Sequence, residues 1–185
     1  MIARRAVLAL ACSLALGAPA AADAPEEPAG FRGPPYNAPV PETLAGAVVA
    51  DDAAASALHA AGTAIFVDVM PRDIKPVDLP EGTVWHDKPR DSIPGSIWLP
   101  NTGFEALRED EEAYLRAGLA HATAGNQDAP LVIFCRAECW MSWNVAKRAV
   151  GYGYSHVIWY PGGPEGWQRV PTNPALERVE PFVLP

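Results

Sequence analysis

Ala64-Ile65-Phe66-Val67, Leu131-Val132-Ile133-Phe134 and Val157-Ile158-Trp159-Tyr160 are apolar at every position, with no polar alternation. Runs this short predict strands buried on both faces, as in a parallel sheet covered on each side. Ala47 to Ala50 and Ile97-Trp98-Leu99 predict two further strands. Between the strands lie helical stretches: Asp51 to Ala61 with Asp51 or Asp52 as its cap, Phe104 to Ala122, and about Met141 to Val150. The acidic residues early in the second of these (Glu105, Glu109, Asp110, Glu111, Glu112) read as a solvated face and not as a metal cluster. Strands alternating with helices predict an α/β domain, with a central, mainly parallel sheet of about five strands and helices on both faces.

Two segments break this rhythm. Residues 23–44 are rich in proline, alanine and glutamate and predict an extended lead-in that Phe31 and Tyr36 pin to the domain surface. Pro71 to Ser92 carries Pro71, Pro76, Pro80 and Pro89 among scattered charges and Trp85, and predicts a long ordered loop. Loops of that length inside compact domains are usually functional.

At the amino terminus, Arg4 and Arg5 precede an apolar run from Ala6 to Leu16 and a small-residue stretch, Ala18 to Ala22. This is the layout of a secretory signal peptide spanning residues 1–22, with a run too short for a bilayer span. A periplasmic mature chain without a membrane span is therefore expected, its domain covering residues 45–185. Cys12 leaves with the leader, and Cys135 and Cys139 remain. The formal net charge of −8 becomes −10 once Arg4 and Arg5 are removed, which gives no footing for nucleic acid. Small molecules or proteins are the expected partners.

Cys135 follows a buried strand and precedes a helix, which puts its sulfur at the carboxyl edge of the sheet, where open α/β folds bind ligands. The helix start offers unpaired N–H groups and a positive dipole end, and Arg136 adds charge, opposed by Glu138. A lowered thiol pKa at Cys135 is the expectation. Asp68, closing its own buried strand, is expected to accept structural hydrogen bonds.

Several elements together resemble the rhodanese-like domains: Val67-Asp68-Val69, Ile93-Pro94-Gly95-Ser96-Ile97, the strand-cysteine-loop-helix, and Gly151-Tyr152-Gly153-Tyr154 through Gly162-Gly163-Pro164-Glu165-Gly166-Trp167. The likeness covers about residues 45 to 170. It implies that Cys135 carries a persulfide held by backbone N–H groups of the loop Cys135-Arg136-Ala137-Glu138-Cys139-Trp140. More narrowly, Cys135-x-x-x-Cys139-Trp140 with Ile93 to Asn101 and the leader resembles exported proteins associated with pyrroloquinoline quinone-dependent alcohol catabolism. That resemblance implies quinoprotein dehydrogenases or c-type cytochromes as neighbours and no quinone bound by this chain. The sequence departs from the family in four places. The arginine usual two positions after Asp68 is absent, its place taken by Arg72 or by nothing; Ser92 stands where histidine is usual; Glu138 stands for glycine; and Trp140 stands for a small or cationic residue. The last two imply weak thiosulfate turnover.

Three functions remain open: sulfane-sulfur carriage on Cys135, a dithiol cycling between thiols and disulfide, and a binding module presenting Trp140 and Trp143 as exposed aromatic surface. Trp140, in place of a histidine, argues against haem attachment, and two thiols without a loop histidine make a poor zinc site.

Overall fold

The structure is a computed structural model, and it describes residues 24–184. The predicted leader, with Cys12, lies outside the described residues.

The central sheet contains β1 (Val48–Val49), β2 (Ile65–Asp68), β4 (Ile97–Trp98), β5 (Leu131–Phe134) and β6 (Val157–Tyr160). Its order is β1-β6-β5-β2-β4, and every pairing is parallel. The apolar runs explain why. In the central strands, successive side chains point to opposite faces, so an all-apolar run feeds two cores at once. Val67, Leu131, Ile133, Val157 and Trp159 form one core with Leu115 and Leu119 of α2 (Glu109–Ala122) and with Val145, Ala146 and Ala149 of α3 (Trp140–Gly151). Phe66, Val132, Phe134 and Tyr160 form the other with Ala55 of α1 (Asp52–Ala61) and Trp167 of α4 (Gly163–Trp167). Each large side chain so enclosed contributes about 1.5–3 kcal/mol of transfer free energy. The expected α/β architecture, with about five parallel strands and helices on both faces, is therefore observed.

Local signals set the helix ends with one correction. Asp51 caps α1, its carboxylate accepting the Ala54 N–H at 2.7 Å. α2 begins at Glu109 rather than at Phe104. The carbonyls of Phe104 and Glu105 are held by Nη2 of Arg148, each at 2.8 Å, and are turned toward α3 instead of into a helical ladder.

The long loop is also shorter than expected. Arg90–Ser92 form β3, which pairs antiparallel with β7 (Glu177–Val179). Beyond β7 the tail runs along the open edge of the sheet, with the Phe182 N–H on Trp98 O at 2.8 Å, so that edge is covered.

Candidate functional site

Cys135 is the first residue beyond β5, and the loop from it to Cys139 leads into α3, of which Cys139 is the N-cap. The loop is folded tightly. Glu138 takes a left-handed backbone conformation, φ +51, and its side chain points to solvent. Gly163 comes against the loop from the other side, where a Cβ would stand 2.7 Å from Cys135 O and 2.9 Å from the Arg136 carbonyl carbon. Only glycine allows that approach. Glu165 in α4 then reaches across and accepts the Ala137 N–H at 3.0 Å.

Both sulfurs are enclosed: Cys135 is wholly buried and Cys139 is 4% exposed. Burial pushes the Cys135 thiol well above the usual range, and the neighbouring Cys139 adds to that. Cys139 is displaced the other way, to about 7. Its interaction with the neighbouring Cys135 is the largest cause, the Met141 and Ser142 N–H groups at the start of α3 face it, and Arg136 adds positive charge. Burial thus disfavours the thiolate at Cys135, and the start of α3 favours it at Cys139. This reverses the expectation that Cys135 is the more acidic thiol. The helix N-terminus and Arg136 act as foreseen, but on the sulfur at the N-cap rather than on the one at the strand end. The Arg136 N–H faces Cys135, whose thiol donates to Met70 Sδ at 3.6 Å.

The support for this loop runs through Asp68. Its buried carboxylate accepts the Met70 N–H at 2.9 Å, Arg90 Nε at 2.8 Å and Ser92 Oγ at 2.5 Å. Burial raises the Asp68 pKa, and Arg90, Ser92 and Met70 oppose the rise. The Arg90 guanidinium and the Met70 N–H can only donate to this carboxylate, and the Ser92 hydroxyl donates as well. Arg90 also donates to Cys135 O, at 3.4 Å, tying the Asp68 cluster to the cysteine loop. Arg72 does not substitute for the missing arginine: its guanidinium is 3.7 Å from Asp87, and its backbone N–H binds Asn101. The role falls to Arg90, from β3. Arg90 and Ser92 are two apart, so in a strand they share a face, and both reach the same carboxylate oxygen. That spacing was present in the sequence; the strand that gives it meaning was not recognisable among the prolines.

The lead-in completes the site. Residues 36–38 run antiparallel to 138–140, with Asn37 opposite Cys139. The Trp140 N–H donates to Tyr36 O at 2.8 Å and the Ala38 N–H to Glu138 O at 3.3 Å. The Trp140 indole donates to Pro39 O at 3.0 Å, and that of Trp143 to Thr43 O at 3.2 Å. Asn144 grips the Arg32 backbone through both N–H and carbonyl, each at 2.9 Å. The tryptophans expected as exposed surface are therefore covered, 3% and 0% exposed, because the lead-in lies over them. Tyr36 pins the lead-in as foreseen, its ring edge-on to Phe104, and Arg148 stacks on Phe31 at 3.9 Å.

The structure thus brings Cys135, Arg136, Ala137, Glu138, Cys139 and Trp140 together with Asp68, and leaves Arg72 outside. Arg90, Ser92, Met70, Asn37 and Glu165 are the site residues that sequence reasoning missed. Among the described residues no group of three or more histidines, cysteines and carboxylates is arranged to hold a metal, and no helix is long and apolar enough to cross a membrane. No protein-family model matches the chain, and none of the curated proteins matches it either.

Proposed function

We propose that this chain is an exported rhodanese-like protein whose Cys135–Cys139 pair performs thiol–disulfide chemistry, in the pyrroloquinoline quinone-linked setting that the Cys-x-x-x-Cys-Trp resemblance implies. The observation that carries the reading is the placement of two free, buried cysteines four positions apart, one at the strand end and one at the N-cap of α3. One thiolate at a helix N-terminus next to one thiol is the resting form of a dithiol that attacks with the first sulfur and resolves with the second. Cys139 thiolate attacks a sulfur of an external disulfide, and the partner's other sulfur leaves as a thiolate and takes a proton. Cys135 then loses its proton and attacks the Cys139 sulfur, forming Cys135–Cys139 and releasing the second partner thiol. Two electrons pass from the dithiol to the partner, and the reverse sequence oxidises a partner dithiol.

Sulfane-sulfur carriage on Cys135 is the second reading, favoured by its place at the strand end and by the Asp68–Arg90 cluster behind its carbonyl. The loop N–H groups are distributed against it as a thiosulfate enzyme, since Ala137 N–H is held by Glu165 and Trp140 N–H by Tyr36, away from an incoming dianion. Intact mass of protein taken from the periplasm separates the readings. Loss of two hydrogens, with Cys135 and Cys139 joined in the peptide map, supports the dithiol. Gain of one sulfur atom on Cys135 supports carriage and displaces it.

A further inference from the structure

The lead-in does more than cover the dithiol: it lies across it as a strand. Trp140 N–H to Tyr36 O and Ala38 N–H to Glu138 O flank the facing residues Asn37 and Cys139, which makes those two a narrow antiparallel pair. Facing Cα atoms in such pairs stand about 4.5 Å apart, inside the span of roughly 4.4–6.8 Å that a disulfide bridges. The position of Asn37 is therefore one from which a sulfur could bond Cys139. Beside the side-chain contacts of Tyr36 with Phe104 and of the Arg32 guanidinium over the Trp140 ring, main-chain groups are bound as well: Pro39 O, Arg32 N–H and Arg32 O by Trp140 and Asn144. A surface that recognises backbone in an extended conformation accepts many sequences.

We propose that Arg32 to Val40 is an internal mimic of the substrate, and that the dithiol acts on extended polypeptide segments that replace the lead-in and set a disulfide-bonded cysteine where Asn37 lies. This rests on the dithiol reading above and names its substrate class as protein disulfides in unfolded or exposed strands, rather than small disulfides. In the covered state Cys139 is closed to solvent, so turnover requires the strap to leave. The incoming segment remakes its backbone hydrogen bonds with Trp140 and Glu138 while Cys139 attacks.

The test compares two thionitrobenzoate mixed disulfides with the same leaving group on the full mature chain. One carries a peptide of the Arg32 to Val40 sequence with a cysteine at the Asn37 position, and the other carries 2-mercaptoethanol. Tyr36→Ala removes the ring that packs on Phe104 and the hydroxyl that accepts the Glu105 N–H at 3.1 Å, loosening the strap without touching either cysteine. The expected result is that thionitrobenzoate release from the peptide speeds up relative to the small disulfide by about tenfold, the equivalent of ~1.4 kcal/mol of backbone recognition. Equal acceleration of both makes the strap a cover only and overturns the proposal, as does no acceleration of either. Independently of how Tyr36→Ala folds, Asn37→Cys in a Cys135→Ser background should form a disulfide with Cys139, seen in non-reducing peptide maps, and its absence overturns the proposal. Failure of the dithiol reading is distinguished by the unsubstituted chain, which would then yield no Cys135–Cys139 disulfide after prolonged exposure to the small reagent.

Discussion

The two proline-rich segments of this chain are alike in composition and opposite in behaviour. Residues 71–89 leave Ile74, Val77 and Val84 in solvent. Their internal ties are exposed pairs such as Lys88 with Asp73 at 2.7 Å, worth little where water competes. That segment is anchored at its ends, by Asn101 on the Arg72 N–H and by Asp68 on Arg90. The lead-in is bound along its length, because α3 presents donors at successive turns, Trp140, Trp143, Asn144 and Lys147, to carbonyls that proline-rich chain cannot pair internally. Order in a segment without secondary structure thus depends on what its neighbour offers as well as on its own anchors, here Phe31 and Tyr36.

The largest expected effect comes from breaking the far anchor of the long loop. Asp68→Asn leaves the Arg90 guanidinium, 16% exposed, facing an amide in place of a carboxylate. Losing one member of such a buried ion pair costs about 3–5 kcal/mol, read as a fall in the urea midpoint with increased proteolysis within residues 71–89. A change below ~1 kcal/mol would mean that the loop does not depend on that anchor.

Asn144→Ala attacks the strap instead. It removes the hydrogen bonds to both backbone groups of Arg32 and to Gly103 O, and is expected to cost about 2–3 kcal/mol. Denaturant titration measures the loss, and alkylation of Cys139 should become faster at the same time. If stability falls without a gain in alkylation, the strap is not what closes the site.

A third expectation concerns pH. Cys139 is lowered to about 7 and Cys135 raised, so the first thiolate forms as pH rises through 7 and resides on Cys139. Iodoacetamide labelling of the Asn144→Ala protein should therefore increase with a midpoint near 7, and peptide mapping should find Cys139 labelled ahead of Cys135. A midpoint near the ordinary thiol value of 9.0 would mean that the start of α3 does not lower Cys139, and Cys135 labelled first would mean that Cys135 is the more acidic thiol. The smallest effect belongs to Val77→Ser in the exposed loop, expected within about 0.5 kcal/mol of the unsubstituted chain in the same titration.

Much of the frame was legible because it is written locally. Leu131 to Phe134 and Val157 to Tyr160 coincide with their strands, since a tetrapeptide apolar throughout has no stable place except inside a sheet covered on both faces. Asp51 was readable as a cap for the same kind of reason: its carboxylate needs only the N–H three residues on. Phe104 was misjudged as helical because the competitor for its carbonyl, Arg148, lies in another element.

The candidate site divides along the same line. Sequence alone determined that Cys135 and Cys139 flank a strand-to-helix turn, that the turn ends at a helix N-terminus, and that Asp68 closes a buried strand, because each follows from periodicity and residue type within a few positions. Only the tertiary structure decided which thiol burial raises and which the start of α3 lowers, which arginine serves Asp68, and that the lead-in lies over the dithiol. Those outcomes depend on burial and on hydrogen-bond partners tens of residues away, Arg90 for Asp68, Glu165 for the Ala137 N–H and Tyr36 for the Trp140 N–H, and such partners leave no local pattern in the chain.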